Sequence, residues 1–249
     1  MLLNDANGIY LGAQQVKDVY CGSDLVWSAI EPFFVDFSEY DTGSAPSGWT
    51  LHSSNANYNV ISDGSAVGGQ ALRHNARYDD IQIPFTWDAP GVFVDFDMTG
   101  AVANFDTNGT NRTWGGFIYR FSGSPSSANY YQTEISRIGG TPHFRLRRLE
   151  NQSVNSRLSN EEDSTDMVSP ITVSSHSQSE YWNIRTVFEN GTIRAKFWDA
   201  SDPEPNDFQV DIVDSDPLPA GHVGVNVSYT GRDDLDARWS YLDLIVTSR

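Results

Sequence analysis

Asn190-Gly191 sits between two runs of strict two-residue alternation, and this segment limits the fold more tightly than any other. An Asn-Gly pair supplies the positive φ angles of a type I′ turn, whose twist matches that of a two-stranded hairpin. Beyond the turn, Ile193, Ala195 and Phe197 alternate with Arg194, Lys196 and Trp198. Before it, Trp182, Ile184, Thr186 and Phe188 alternate with Asn183, Arg185 and Val187. A period of two sends one set into a core and the other set away from it. Val223, Val225 and Val227 repeat the pattern, with Gly224, Asn226 and Ser228 on the other face. Strand-like runs also occur at 33–37, 58–61, 70–74, 81–85, 92–98, 114–121, 130–138, 143–149, 208–213 and 241–246. Turn residues separate these runs at the spacing of a sandwich or barrel. No apolar pattern of helical period lasts beyond a turn or two, so the expected class is all-β. The polar stretches 104–113, 122–129 and 151–169 read as loops, the last of them mobile.

Charge narrows the function. Sixteen basic against 33 acidic residues give a net charge of −17. Phosphate binding depends on clustered Lys and Arg, so nucleic acid is not an expected partner. Aromatic residues make up 12% of the chain and charged residues 20%, a balance that suits an ordered globular protein. One cysteine, Cys21, leaves no intrachain disulfide and no paired-cysteine metal site, and reads as a small buried apolar residue. No apolar run approaches the roughly 18 residues of a membrane helix, so membrane insertion is not expected. Met1-Leu-Leu is followed directly by Asn4 and Asp5, so no signal peptide is expected either. A place outside the cell then calls for another route, such as assembly into a particle followed by lysis.

The N-terminus holds a ten-residue repeat, 9–18 against 19–28. Tyr10 aligns with Tyr20, Gly12 with Gly22 and Val16 with Val26. Each copy reads as an apolar strand, a turn at the glycine and a return strand. The pair is expected to form a three-stranded meander, well below the size at which a sheet stands alone in water. Such a piece has to dock on something, which makes residues 1–31 an attachment module and 32–249 the main domain. Gly8-Ile-Tyr-Leu-Gly12, Val16 and Val19-Tyr-Cys-Gly-Ser-Asp-Leu-Val-Trp27 resemble a segment that recurs in tailed-phage virion proteins. The resemblance covers 8–27 and implies a virion component in tail, fibre or head-decoration position. It implies contacts to other virion proteins through Tyr10, Gly12, Val16, Tyr20, Gly22, Val26 and Trp27, and a homo-oligomer displayed in several copies.

A second resemblance lies further on. Tyr181-Trp-Asn-Ile-Arg185, the strand 191–198, Pro203-Glu-Pro205, Gly221-His-Val-Gly224 and Trp239-Ser-Tyr-Leu-Asp243 follow one another in that order. They are similar to the C-terminal half of concanavalin A-like, laminin-G-like jelly rolls. Phe34-Val-Asp-Phe37 and Gly69-Gln-Ala-Leu-Arg73 fit the usual start of such a domain. The resemblance implies an antiparallel β-sandwich over about 33–249, whose concave face often binds glycans in related domains.

Glucanases of this superfamily resemble Glu-x-Asp-x-x-Glu on one strand, where alternation aims the carboxylates at a single glycosidic bond. The nearest segment here, Thr133-Glu-Ile-Ser-Arg-Ile-Gly139, keeps Glu134 but has Ser136 and Gly139 where the other two acids would stand. No serine-hydrolase elbow, phosphate loop or zinc-protease motif is present. The expectation is a protein that is not an enzyme. For glycan binding, an aromatic ring stacks on a sugar face among planar polar groups. Trp114, Tyr130, Tyr131, Arg145 and Arg147 lie on central strands and are the candidates, with Phe144 and Leu146 turned to the core. The glucanase resemblance also implies a structural calcium at Asp243, with Asp36 or a carbonyl near Gly69 contributing. Otherwise no cofactor is expected.

These expectations describe a virion protein that contacts host-surface polysaccharide. Two alternatives stand beside it: a purely structural or decoration protein without glycan binding, and a glycan depolymerase with a non-standard acid pair.

Overall fold

A computed structural model describes residues 9–11, 14–16, 18–21, 24–28, 31–53, 57–74, 82–106, 112–138, 141–152, 164–173, 180–230 and 235–248. In chain order the strands begin with β1 (Ile9–Leu11), β2 (Gln14–Val16), β3 (Asp18–Cys21), β4 (Asp24–Ser28) and β5 (Glu31–Val35). Next come β6 (Trp49–Leu51), β7 (Tyr58–Ser62), β8 (Gln70–His74), β9 (Gln82–Trp87) and β10 (Asp95–Asp106). The long strands β11 (Arg112–Ser124), β12 (Ser127–Ile138) and β13 (Thr141–Gln152) precede two short ones, β14 (Ser164–Asp166) and β15 (Ile171–Thr172). The chain ends with β16 (Trp182–Glu189), β17 (Thr192–Asp199), β18 (Val210–Val213), β19 (His222–Thr230) and β20 (Leu235–Ser248).

The strands from β5 onward form two antiparallel eight-stranded sheets. One runs β18-β17-β16-β10-β20-β8-β7, with β5 also paired to β20, and is called the β20 sheet below. The other runs β14-β13-β12-β11-β19-β9-β6, with β15 also on β13, and is called the β12 sheet.

The expected hairpin is present. Asn190 and Gly191 have φ of 51° and 80°, the left-handed pair that a type I′ turn requires, and β16 and β17 pair from Glu189↔Thr192 outward. Ile184, Phe188 and Ile193 are buried in the main core, as alternation places them, and so are Val223, Val225 and Val227 on β19. Burying side chains of this size stabilises each by roughly 1.5–3 kcal/mol relative to exposure. The sheets approach closely at Gly100 on β10, where an added Cβ would lie 2.5 Å from the Phe117 ring of β11. Two polar bonds also cross the gap. Trp239 Nε1 donates to the Gly116 carbonyl at 3.0 Å, and Tyr119 Oη lies 2.9 Å from Thr186 Oγ1 and 2.7 Å from Thr133 Oγ1.

Two antiparallel strand pairs are described within the repeat. β1 pairs with β2, and β3 with β4, as separate two-stranded units. One residue separates β2 from β3, and β4 leads through two residues into β5. Gly12, Gly22 and the side chains of Tyr10, Val16, Tyr20, Cys21, Val26 and Trp27 lie outside the described residues.

Parts of the expected loops are strand. β10 runs to Asp106, and β11 and β12 meet in a tight turn at 125–126. At the third, β13 continues to Gln152 and Ser164–Asp166 adds β14 to its edge. The Met167 amide then donates to the Leu146 carbonyl at 2.9 Å, and Met167 and Val168 pack on the core. Apolar anchors after the acidic run thus tie this end of the segment down.

Candidate functional site

The outer face of the β12 sheet carries four of the five glycan candidates by strand position. Tyr131 is the exception. Strand alternation turns it with Ile135 into the inter-sheet core, where its hydroxyl donates to Asp214 Oδ2 at 2.7 Å and accepts from the Leu218 amide at 2.9 Å. Tyr130 faces the other way, yet it is also fully buried, in a second apolar cluster with Ile118, Phe121, Ala128 and Leu149. Trp114 holds a register position opposite Ser228, and its side chain lies outside the described residues.

Arg145 and Arg147 point away from Phe144 and Leu146, but not into solvent. Their side chains are 5% and 2% exposed. Arg145 makes a two-pronged bond to Asp166, Nε to Oδ1 at 2.9 Å and Nη2 to Oδ2 at 2.7 Å. Glu134 lies between the two arginines, its Oε1 3.5 Å from Arg147 Nη1 and 3.9 Å from Arg145 Nη1, with no exposed side-chain surface. Gln132 donates to the other Glu134 oxygen, and Asn226 Nδ2 donates to Gln132 Oε1 at 3.1 Å. Burial pushes the Glu134 carboxyl above its usual range, against the pull of Arg147 and then Arg145. Such a closed ionic array fixes a sheet face; it offers no open surface to a ligand.

The outer face of the β20 sheet is open at its β5–β20 end, where Phe34 and Asp243 are exposed, while Lys196, Asn183 and Ala101 are buried. Register places Phe34, Asp243, Thr99, Arg185 and Lys196 directly opposite one another on β5, β20, β10, β16 and β17. At ~4.8 Å per strand the row spans about 19 Å. Phe34 is 56% exposed and stacks on Tyr241, with ring centroids 6.2 Å apart and planes 28° apart. The adjoining row is Tyr241, Ala101, Asn183 and Trp198, in which Tyr241 Oη donates to Asn183 Oδ1 at 3.0 Å. Arg185 holds Asp97 by a two-pronged bond of 2.9 and 2.6 Å and reaches Glu204 at 2.7 Å. Lys196 takes the same Glu204 oxygen at 2.8 Å and lies under Phe208, its Nζ 4.8 Å from the ring centroid. The bonds to Asp97, and then those to Glu204, raise the Arg185 pKa and keep it charged. Burial, then Asp97, raises the Asp243 carboxyl, and Arg185 opposes the shift.

No protein-family model matches the sequence, and no curated protein matches it. Solved structures do match the fold. The metal-free exoplasmic/lumenal domain of VIP36 superposes with a TM-score of 0.57 at 11% identity, over 88% of this chain and 94% of that one. A family 16 glycoside hydrolase endo-glucanase from Bacteroides ovatus gives 0.56 at 8% identity, over 85% and 99%. Peanut lectin gives 0.50 at 11% identity, over 88% and 100%.

The fold is the concanavalin A-like β-sandwich.

Of the three residues expected at a calcium site, Asp36 lies against the turn that holds Gly69, where a Cβ on Gly68 would stand 2.7 Å from Asp36 Oδ2, and Asp243 is cross-strand from Phe34, two residues before Asp36 in the chain. Asp36 Oδ1 accepts from the amide and hydroxyl of its neighbour Ser38 at 3.1 and 2.7 Å. Asp243 lies beside Phe34 and Tyr241, and Gly69 lies in the turn before β8, where its carbonyl accepts from the Asp63 amide. Among the described residues no group of three or more His, Cys, Asp or Glu could hold a metal ion. The VIP36 domain has a Ca2+-bound form, which is a property of that protein.

The open row was only half visible beforehand. Arg185 and Trp198 are placed outward by the hairpin pattern, and Asp243 stands out as a lone carboxylate in an apolar strand. Phe34 is obscured by its apolar neighbour Phe33. The signal that resolves it is parity: Phe33, Val35 and Phe37 share the core side, which leaves Phe34 and Asp36 outside.

Proposed function

We propose that this protein is a non-enzymatic carbohydrate-binding component of a tailed-phage particle, attached through residues 1–31 and contacting host-surface polysaccharide with its sandwich. The observation that carries the carbohydrate half is the open row on the β20 sheet, where an exposed aromatic stack adjoins a carboxylate, a hydroxyl and a guanidinium. Rings of this kind cover a sugar face while planar polar groups reach its hydroxyls. Lectin and glucanase sandwiches share the fold, which makes a glycan a natural ligand class. The particle half is supported by the phage-like segment at 8–27. Display in several copies would convert weak sugar affinity into useful avidity.

Binding is favoured over hydrolysis because Glu134 is enclosed by Arg145, Arg147 and Gln132. A glycosidase acid has to touch the glycosidic oxygen, and its partner carboxylate has to lie across the same bond. Ser136 and Gly139 stand in place of the partner acids.

The test is titration of the labelled full-length chain against polysaccharides from candidate hosts, with calcium and with chelator, scoring reducing ends in parallel. Saturable binding without new reducing ends is expected. Absence of binding on every host would leave a purely structural particle protein, and reducing-end release would make the chain a depolymerase. Labelled chain appearing in purified particles, and lost on deletion of 1–31, checks the attachment half.

A further inference from the structure

The ion pairs of the open row leave one charge over. Asp97 and Glu204 are matched by Arg185 and Lys196, two carboxylates against two cations. Asp243 makes no hydrogen bond or ion pair with any other described residue, although it lies in the middle of the row. Its cross-strand neighbour on one side is Phe34, and the ring stacked on Phe34 is Tyr241. The row therefore presents one uncompensated carboxylate against two aromatic rings, one of them more than half exposed, and Asp36, two residues on from Phe34 and on the same face, adds a second carboxylate bonded to Ser38.

That pairing has a specific chemical complement. An ammonium group is attracted to an aromatic face and to a carboxylate, and one position satisfies both when the groups are neighbours on adjacent strands. Directly opposed residues of an antiparallel pair have Cα atoms about 4.5–5.5 Å apart, so Phe34 and Asp243 can touch the same cation. Thr99 lies on the far side of Asp243 as a hydroxyl partner for the rest of the ligand, and Arg185 lies beyond it. A neutral sugar would cover the ring but leave the Asp243 charge desolvated without an opposite charge. A polyanion would meet both that carboxylate and a chain of net charge −17.

We propose that Phe34, Tyr241 and Asp243 form a subsite for a sugar that carries a free ammonium group, such as a deacetylated amino sugar within a host-surface glycan. This rests on the carbohydrate reading above and names the ligand class and the residues that select it. Arg185 and Asp97 act as the polar border of the subsite, held in place by their mutual bond.

The experiment is calorimetric titration of the full-length chain, in chelator, with fully deacetylated glucosamine oligosaccharides and with their N-acetylated counterparts. The deacetylated series is expected to bind more tightly, by about tenfold or more, the scale of one cation–π contact joined to a carboxylate. Asp243→Asn and Phe34→Ala should each abolish that preference while leaving the unfolding midpoint in place, since both side chains are exposed. Asp202→Asn, at an exposed turn outside the row, controls for diffuse attraction between the acidic chain and a polycation. Equal affinity for the two series would overturn the proposal, and so would a loss in Asp202→Asn as large as that in Asp243→Asn. Calcium that binds with dependence on Asp243 and displaces the oligosaccharide would make this a metal site instead. If host polysaccharide binds while glucosamine oligomers do not, the ammonium subsite fails and the carbohydrate reading stands. If neither binds, both fail.

Discussion

Arg145 and Asp166 face each other across the edge of the β12 sheet in a two-pronged bond of 2.9 and 2.7 Å, and that bond joins β14 to an otherwise buried ionic cluster. Arg145 is nearly inaccessible while Asp166 keeps 29% of its side-chain surface, so the carboxylate closes the cluster from the solvent side. Asp166→Ala should cost about 2 kcal/mol, because a buried guanidinium loses a charged partner. Asp166→Asn keeps one acceptor and should cost less. Urea unfolding of the three proteins side by side checks the order, and equal midpoints would show that Asp166 contributes nothing to stability.

Tyr119 links the sheets through its hydroxyl, which lies between Thr133 of one sheet and Thr186 of the other. Tyr119→Phe removes that hydroxyl and leaves two buried threonine hydroxyls to find new partners. The expected loss is about 1–3 kcal/mol, with the fold retained. A combined Tyr119→Phe, Thr186→Val variant should recover part of the loss, because the threonine at that position no longer needs a partner. Chemical denaturation of the single and double variants measures this directly.

His74 lies fully buried on β8 against the Tyr58 ring, and neither ring nitrogen has a hydrogen-bond partner among the described residues. Burial lowers its pKa to about 4. The unfolded chain therefore binds the proton more readily, with an ordinary imidazole value of about 6.5. Stability from this group is complete above about 6.5 and is lost as the pH falls from there towards 4. His52, also lowered to about 4 by burial and then by His222, loses stability in the same window. A pH series of unfolding midpoints should fall from 6.5 to 4 in the native protein and fall less in His74→Leu. An unchanged slope in the variant would place the sensitivity elsewhere.

Gly100 is where the sheets leave no room for a side chain. A Cβ there would also approach the Tyr241 carbonyl at 3.0 Å, so Phe117 cannot simply rotate away from a methyl group. Gly100→Ala should cost about 1–3 kcal/mol through overpacking. Gly43→Ala, whose Cβ would meet nothing, should cost only the strain of its φ of 87°. Thermal melts of the two variants separate crowding from backbone strain.

The strand class, the type I′ hairpin and most core faces were legible in the sequence, because alternation with period two depends only on neighbours along the chain. Ile193, Phe197 and Val223 declare their face without any partner strand. Tyr131 was harder to place, since Tyr130 beside it is equally aromatic, and only its shared parity with Ile135 shows which ring enters the core. What the sequence could not decide was exposure on the faces turned away from the core. Arg145 and Arg147 alternate outward exactly as Arg185 does, yet the first two are enclosed and the third is half-buried on an open sheet. Alternation settles the direction of a side chain. Whether that direction leads to water depends on elements distant in the chain, and here those are Asp166 on β14 for one face and the arrival of β5 beside β20 for the other.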